Sequence, residues 1–262
     1  MIDWNRLRIQ LNPRVDRLIS PAYASEFIGT FFLVLTVCLN VFNNASDEVL
    51  KKTLRPLSIG MILMVMIFAT GGISGAHFNP AVTVAVHLTH PQTISLKRAS
   101  RYVLSQTIGG LCGALIGAYI MSNTETLTPG ENRTAFDAMS AEVFFAMALC
   151  FVVLNVATTK QDTNNHYYGI AIGFTVAAAA YAIGPVSGCA LNPAVSFSVM
   201  LVHFIHTGKG LSYLVVYLGT PMIGAFLASS LFKIIRKAEF TVIASPYLEV
   251  TEESKIAASA SN

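Results

Sequence analysis

The chain has 262 residues, of which 53% are hydrophobic and 12% charged, with a formal net charge of +3 and a mean hydropathy of +0.58. Because charged residues make up about a quarter of an ordinary soluble domain, this composition excludes that class and indicates a membrane protein. The first 20 residues contain four arginines and no apolar core, so we expect no cleaved signal peptide.

Six apolar segments are long enough to cross a bilayer, which takes about 20 residues of helix. Two further apolar segments of roughly 10 to 14 residues reach about half the hydrocarbon thickness, so we predict re-entrant half-helices there. In chain order the predicted elements are spans at 22–42 and 57–71, a half-helix at 79–89, spans at 98–121, 138–158 and 168–184, a half-helix at 192–205 and a span at 211–235.

The distribution of basic residues predicts the orientation of these spans. Six crossings put the N-terminal arm 1–20 and the C-terminal tail 239–262 on the same side. Segments on that side carry twelve Lys and Arg residues, against five on the other side. The positive-inside rule therefore predicts that both termini are cytosolic. We expect the protein in the plasma membrane or in a vacuolar or other organellar membrane.

A short motif occurs twice, each time after a serine and ending in Asn-Pro-Ala. The two runs are Gly75-Ala76-His77-Phe78-Asn79-Pro80-Ala81 and Gly188-Cys189-Ala190-Leu191-Asn192-Pro193-Ala194, and their asparagines lie 113 positions apart. Glu26 in the first span and Glu142 in the fourth lie 116 positions apart, so the repeat extends beyond the motif. It predicts two half-repeats, 21–128 and 129–238. Each has three spans, an odd number, so the second half is inverted, and inverted repeats place their functional site at the midplane.

The chemistry of the repeated tripeptide points to a pore. Asparagine is a favoured helix N-cap, and proline at the next position has no N–H to lose. With their side-chain oxygens occupied by the caps, Asn79 and Asn192 keep two amide N–H donors each, which we expect to face a cavity beside the positive ends of the helix dipoles. A water that accepts from both asparagines interrupts a chain of hydrogen-bonded waters, and the positive potential repels protons and cations.

The non-helical residues before each half-helix form a second group of predicted pore residues. Irregular backbone inside a membrane is tolerated where it lines water. We therefore expect carbonyl groups to line the path at Gly75, Ala76, His77, Gly188, Cys189 and Ala190. Intramembrane acids often carry protons, and this role is an alternative for Glu26 and Glu142. We interpret the two glutamates instead as acceptors for the backbone N–H groups of the two re-entrant loops.

Residues from about 20 to 237 resemble the aquaporin family, the major intrinsic proteins. The two Asn-Pro-Ala motifs, the two glutamates and the six-span spacing carry the resemblance, together with the run Ser74-Gly75-Ala76-His77-Phe78-Asn79-Pro80-Ala81-Val82-Thr83. It implies an all-α membrane protein with six transmembrane helices and two re-entrant half-helices. It further implies a homotetramer with one pore per subunit that passes water or small neutral solutes, with no cofactor and no enzymatic activity.

The resemblance also places the pore constriction. By the family's spacing its four positions are Ile59, Ala180, Cys189 and Val195. Most members have an arginine at the last position, and narrow water-specific filters add an aromatic residue and a histidine; vacuolar plant members include some with valine. The apolar set found here implies a wider constriction that excludes glycerol-sized and urea-sized molecules less strictly. Tyr181 adjoins Ala180, so a shift of one residue would restore an aromatic.

We therefore expect a passive water channel with some permeability to small neutral solutes. One alternative is a broad channel for glycerol, urea or ammonia. An ion-coupled secondary transporter also has inverted repeats and broken helices, but it normally needs midplane charges for coupling. The sequence has no grouping of His, Cys and Asp that indicates a metal site or an enzyme. The expected partners are water, small neutral solutes, the lipid bilayer and further copies of the chain, with no nucleic acid.

Overall fold

The computed structural model describes residues 20–43, 53–159 and 165–240. Apart from residues 20, 239 and 240, the predicted N-terminal arm and C-terminal tail lie outside the described residues. The helices in chain order are α1 Pro21–Val41, α2 Arg55–Ser74, α3 Pro80–Thr89, α4 Leu96–Met121, α5 Ala135–Ala157, α6 Tyr168–Ser187, α7 Pro193–Thr207 and α8 Leu214–Ile235, followed by a 3-10 turn at Lys237–Glu239.

The predicted fold class is confirmed. Six of these helices are long and apolar enough to cross a membrane, and they are α1, α2, α4, α5, α6 and α8. The two shorter apolar helices, α3 and α7, occupy the positions predicted for the half-helices. Within the described ranges all regular secondary structure is helical.

The helix ends show how the chain turns back into the bundle. The second and fifth spans run three residues further than predicted, so that α6 continues past Pro185. Each ends where a left-handed glycine closes the last turn: the Gly75 N–H donates to the Gly71 carbonyl and the Gly188 N–H to the Gly184 carbonyl, both at 2.9 Å. Pro185 is therefore tolerated within the final turn of α6.

Both half-helices begin one residue later than predicted. Asn79 and Asn192 have extended backbone, with φ of −153° and −145°, and act as N-caps rather than as the first helical residues. The first helical position is proline in both cases, Pro80 and Pro193. An N–H at this position would have no partner within the helix, so its absence from proline costs no hydrogen bond.

The two halves pack in the same way. The first and third spans of each half form the most extensive contacts, α1 with α4 and α5 with α8. Glycine allows the close approach: a Cβ added at Gly109 would lie 2.3 Å from the carbonyl oxygen of Phe27, and one added at Gly224 would lie 2.6 Å from that of Val143. Small residues at helix contacts are typical of membrane proteins. The two glycines are 115 positions apart and their partners 116, as the internal repeat requires.

The halves meet where α2 crosses α6. A Cβ added at Gly60 would lie 2.5 Å from the carbonyl oxygen of Gly173, and one added at Gly173 would lie 2.6 Å from that of Gly60. Because the two glycines are 113 positions apart, each is the repeat equivalent of the other. This reciprocal contact therefore lies on the axis that relates the two halves.

We expect Gly224→Ala to destabilise the bundle, because its Cβ would clash with the backbone of α5. Overpacking of this kind costs about 1–3 kcal/mol. Gly219→Ala on the same helix is the control, since no atom lies within 4 Å of its added Cβ. In Gly219→Ala the higher helix propensity of alanine should raise the free energy of unfolding by about 0.5–1 kcal/mol. Thermal unfolding of purified protein in detergent measures both, and equal midpoints for the two variants would contradict the packing account.

Candidate functional site

The re-entrant loop of the first half is held by a buried carboxylate. Glu26, fully buried in α1, accepts hydrogen bonds at one oxygen from the Ser74 hydroxyl at 2.7 Å and the His77 N–H at 3.0 Å. Its other oxygen accepts from the Phe78 N–H and the Gln106 side-chain amide, both at 2.7 Å. Four donors from three parts of the chain therefore converge on one side chain.

The second half repeats this arrangement with three donors. Glu142, fully buried in α5, accepts from the Ser187 hydroxyl at 2.7 Å, the Ala190 N–H at 2.9 Å and the Leu191 N–H at 2.7 Å. The two glutamates thus satisfy backbone N–H groups that lie outside any helix. Buried backbone groups of this kind need such partners, because an unpaired one costs several kcal/mol in an apolar medium.

The loops have the same unusual backbone. Positive φ angles occur in both at equivalent positions, Gly75, Ala76 and Phe78 in the first loop and Gly188, Cys189 and Leu191 in the second. The four that are not glycine have φ between 49° and 54°. Left-handed backbone costs an L-residue roughly 1–2 kcal/mol. The hydrogen bonds to the glutamates offset this strain and hold both loops in an extended, non-helical path.

The asparagines join the two loops. Each side-chain oxygen caps its own half-helix, accepting from the Ala81 N–H at 2.8 Å for Asn79 and from the Ala194 N–H at 2.9 Å for Asn192. Each amide nitrogen also donates across to the other loop, Asn79 to the Leu191 carbonyl at 3.0 Å and Asn192 to the Phe78 carbonyl at 2.9 Å. We expected both N–H donors of each asparagine to face a cavity. One N–H of each asparagine is instead bonded to the other loop, which leaves one N–H per asparagine for the cavity.

Two tyrosines that the sequence analysis did not select support the same loops. Tyr102 in α4 is fully buried and donates to the Ser74 carbonyl at 2.8 Å; Tyr217 in α8 is fully buried and donates to the Ser187 carbonyl at 2.6 Å. They lie 115 positions apart, close to the 113 and 116 of the asparagine and glutamate pairs. That common spacing is the signal by which the sequence alone could have identified them.

A cavity of about 620 Å³, the large cavity, runs along these loops. Asn79 and Asn192 both line it. Pro80 and Pro193, with the alanines that follow them, are buried in the first turns of α3 and α7 and are not part of the lining. Of the six predicted carbonyl positions, five line the large cavity: Ala76, His77, Gly188, Cys189 and Ala190.

The structure brings the four predicted constriction residues into this one cavity. Ile59 of α2, Ala180 of α6, and Cys189 and Val195 of the second loop and its half-helix all line it. Tyr181 lines it as well, and its hydroxyl donates to the Thr53 carbonyl just before α2. Both the alanine and its aromatic neighbour therefore face the cavity region.

One end of the large cavity, the Arg55 end, is lined by Arg55 and by residues 125–128. This connection between the halves folds against the end of α6 and the start of the second re-entrant loop: the Gly130 N–H donates to the Val186 carbonyl at 2.9 Å, and Leu127 lies 2.9 Å from where a Cβ on Gly188 would be. Leu127 is thus a lining residue next to the predicted constriction that the sequence analysis missed. Its contact depends on tertiary folding and leaves no motif.

A second cavity of about 210 Å³, the small cavity, adjoins the large one at His77, which lines both. Gly75, the sixth predicted carbonyl position, lines the small cavity. His90 and Arg98 line the small cavity as well, and we call this cavity's side of the molecule the Arg98 end. Arg98 donates to the Tyr102 hydroxyl at 2.9 Å, and its guanidinium lies 5.3 Å from the centre of that ring.

Comparison with known proteins agrees with this geometry. A family model described as "Major intrinsic protein" matches residues 16–232. The chain belongs to the major intrinsic protein family. Two relatives in that family come from plants. "Nodulin-26" of Glycine max is 32% identical over 234 residues, which cover 85% of this chain and 82% of the relative. "Probable aquaporin NIP-type" of Nicotiana alata is 30% identical over 223 residues, which cover 82% of this chain and 77% of the relative.

A solved structure has the same fold. The X-ray structure of the aquaglyceroporin from Plasmodium falciparum aligns with a TM-score of 0.71 and covers 83% of this chain and 97% of its own. At 20% identity this similarity concerns the arrangement of helices. Together with the family match it identifies the chain as an integral, multi-pass membrane protein, and the predicted resemblance to the major intrinsic proteins is confirmed.

We predict that Glu26→Gln and Glu142→Gln both destabilise this member of the family. An amide presents an N–H to donors that need an acceptor, and losing a hydrogen bond to a charged group costs about 1.5–3 kcal/mol. Glu26→Gln should cost more, because four donors converge there and three on Glu142. Thermal unfolding in detergent measures both. Glu131→Gln in the exposed connection is the control, and midpoints equal to that of the control would refute the support role.

Proposed function

We propose that the chain is a passive membrane channel for water, with permeability to small neutral solutes. The observation that carries this proposal is the reciprocal pair of asparagine bonds between the two loops, which lies on the wall of a cavity lined by four of the six spanning helices. Two half-helices directed at one point from opposite halves supply hydrogen-bond donors and positive dipole ends at the middle of a path.

The remaining amide N–H of each asparagine is the group we assign to water. A water that accepts a bond from both asparagines cannot donate toward them, so a chain of hydrogen-bonded waters is interrupted there. The loop carbonyls supply acceptors along the path, at the six positions named above. The opposite wall is apolar, with side chains such as Leu33, Leu149 and Val153, so a solute is held by few hydrogen bonds and passes quickly.

We assign the selectivity constriction to Ile59, Ala180, Cys189 and Val195. Three aliphatic side chains and a thiol offer few hydrogen bonds to replace the hydration shell of an ion. Hydrophobic constrictions exclude ions by this cost of dehydration. Uncharged molecules lose less hydration free energy than ions do, which supports passage of glycerol-sized or urea-sized solutes beside water.

We further propose the arrangement of the protein in the membrane. Residues 21–128 and 129–238 act as two inverted half-repeats, the Arg98 end of the path faces the cytosol with both termini, and four copies assemble with one pore each. Large apolar side chains on the outside of the spans support contact with lipid or with other subunits, as Val65, Phe144 and Phe226 are 53%, 65% and 61% exposed. The host membrane is the plasma membrane or a vacuolar or organellar one, and no enzymatic activity is proposed.

Osmotic and solute flux into proteoliposomes tests the channel function. Stopped-flow light scattering should show water flux that does not saturate and does not depend on ions. Saturable, ion-dependent flux would instead identify a secondary transporter. Glycerol and urea uptake that is rapid relative to water would favour the broad solute channel. No flux from correctly folded protein would refute the proposal.

Val195→Arg should suppress glycerol flux more than water flux, because the guanidinium narrows the constriction and binds water in place of the larger solute. A tenfold loss of glycerol flux corresponds to about 1.4 kcal/mol of added barrier. Val195→Leu is the control for side-chain size without charge. Equal suppression of water and glycerol by the arginine would show that position 195 does not select between them.

Leu127→Ala should raise the ratio of glycerol to water flux, because it replaces an isobutyl side chain beside the constriction with a methyl group. We expect about a threefold rise, which corresponds to roughly 0.7 kcal/mol of barrier. Leu54→Ala is the control, since Leu54 is 49% exposed and is not part of the cavity wall. An unchanged ratio would show that the Leu127 side chain does not contribute to the selectivity of the pore.

A further inference from the structure

The first two turns of α4 carry three basic side chains at one end of the bundle. Lys97, Arg98 and Arg101 are all exposed, and the first turn contains no acidic residue. Cations near a helix N-terminus lie at the positive end of the helix dipole, and like charges four residues apart, as in Lys97 and Arg101, repel each other. Among the residues that the structure describes, no carboxylate forms an ion pair with any of the three. The start of α4 therefore keeps a charge arrangement that disfavours the helix itself.

Two of these cations are held in place by tyrosines. The Arg101 guanidinium lies 5.9 Å from the centre of the Tyr23 ring in α1, and it donates to the Tyr23 hydroxyl at 3.4 Å. Tyr102 holds Arg98 in the same way, and the two tyrosine rings meet edge to face with their centres 5.9 Å apart. A cation fixed over an aromatic ring loses less conformational freedom when it binds a ligand. Arg101 is thus positioned at the surface, with N–H donors beyond the one that Tyr23 accepts.

The packing of these helices does not require the cation and its tyrosine. In the internal repeat Arg101 of the third span corresponds to Val216 of the sixth, 115 positions later, and Tyr23 of the first span corresponds to Met139 of the fourth, 116 positions later. Both equivalents are apolar, yet α5 and α8 make the same extensive contact as α1 and α4. The pairing of Arg101 with Tyr23 is therefore specific to the first half and is left for another role.

The basic residues continue into an apolar face of α4. Lys97, Arg101, Leu104 and Ile108 follow one another at intervals of four, three and four residues, so they share one face of the helix. Leu104 and Ile108 are 60% and 45% exposed. Ile108 lies about 10 Å along the helix from Arg101, which is within the depth of one leaflet of about 15 Å. Positive charge at one end and an apolar strip beyond it are complementary to the headgroup and the acyl chain of an anionic phospholipid.

We propose that this face of α4, together with Tyr23 of α1, binds a phospholipid with an anionic headgroup. The Arg101 guanidinium and the Lys97 ammonium group bind the headgroup, the guanidinium through charge-assisted hydrogen bonds to phosphate, while an acyl chain packs along Leu104 and Ile108. Basic residues beside a spanning helix attract anionic lipids, which charge the cytosolic leaflet, and in the orientation proposed above this end of the bundle faces that leaflet. The inference does not depend on what the path conducts.

Thermal unfolding of the purified protein in an uncharged maltoside detergent tests this binding. Dioleoyl phosphatidylglycerol should raise the unfolding midpoint by about 3 °C more than dioleoyl phosphatidylcholine at the same concentration, because a ligand that binds only the folded state stabilises it. The difference should shrink when the salt concentration rises from about 0.05 M to about 0.5 M, since salt screens exposed charges. Equal midpoints in the two lipids would overturn the proposal.

Substitutions of the basic residues locate the site. Arg101→Gln should remove most of the phosphatidylglycerol effect and Lys97→Gln a smaller part, because each variant deletes one positive charge. Arg101→Lys keeps the charge but loses the planar group that lies over Tyr23, so its effect should be intermediate. Arg133→Gln is the matched control, since Arg133 is exposed just before α5, at the end of the bundle where α4 finishes. A full lipid effect in the double variant of Lys97→Gln and Arg101→Gln would contradict the proposal.

Further probes distinguish a lipid from other occupants of this face. Sodium phosphate at the same concentration should leave the midpoint unchanged, and a shift equal to that of the lipid would overturn the proposal in favour of a site for free anions. Dihexanoyl phosphatidylglycerol, with the same headgroup and short chains, should shift the midpoint less, and an equal shift would overturn the role of Leu104 and Ile108. Light scattering after size-exclusion chromatography gives the oligomeric state. Dissociation of Arg101→Gln, with no lipid preference in the wild type, would assign the face to a contact between copies of the chain.

Discussion

Polar backbone in the middle of an apolar helix bundle must find its hydrogen-bond partners within the protein, and two glutamates meet this requirement here. Each half of the chain stops its second span inside the bundle and continues in a non-helical loop with strained, left-handed residues. Glu26 and Glu142 accept the N–H groups that the loops expose, and Tyr102 and Tyr217 donate to the carbonyls where the loops begin. Everything proposed for the path depends on loops that hold this shape.

The meeting of the halves follows from the same constraint. The carbonyls of Phe78 and Leu191 point toward the opposite loop, and the asparagine amides satisfy them. These hydrogen bonds from side chain to backbone join the two halves at the loops. The reciprocal contact of Gly60 and Gly173 joins the halves by close packing of two helices. A substitution that shifts one loop therefore moves the cap of the other half-helix. The centre of the path is a shared structure and not two independent sites.

The symmetry is incomplete, and the departures lie around the first loop. The Gln106 amide donates to both Glu26 and the Thr83 hydroxyl, but the residue 115 positions later is Pro221, which has no donor. His77 adds a pairing with the Thr83 hydroxyl at 3.1 Å, where the second half has Ala190. The first loop is thus tied by more polar contacts. It also lies where the large and small cavities adjoin, so the better-anchored loop borders both cavities.

The sequence by itself determined the membrane class, the six spans, the two half-helices and the inverted repeat, because these depend on local apolar length, on proline and asparagine chemistry and on spacing along the chain. The repeat also singled out Glu26, Glu142 and the two asparagines, whereas the constriction positions came from the resemblance to the major intrinsic proteins. Only the tertiary structure decided that one N–H of each asparagine is used between the loops, that Leu127 reaches the cavity, and that Arg101 lies over the ring of Tyr23. These contacts join residues that are remote in the chain. Whether they form depends on the distance between helices to within an ångström or so. Glycines such as Gly60 and Gly109 set that distance only once the bundle has assembled.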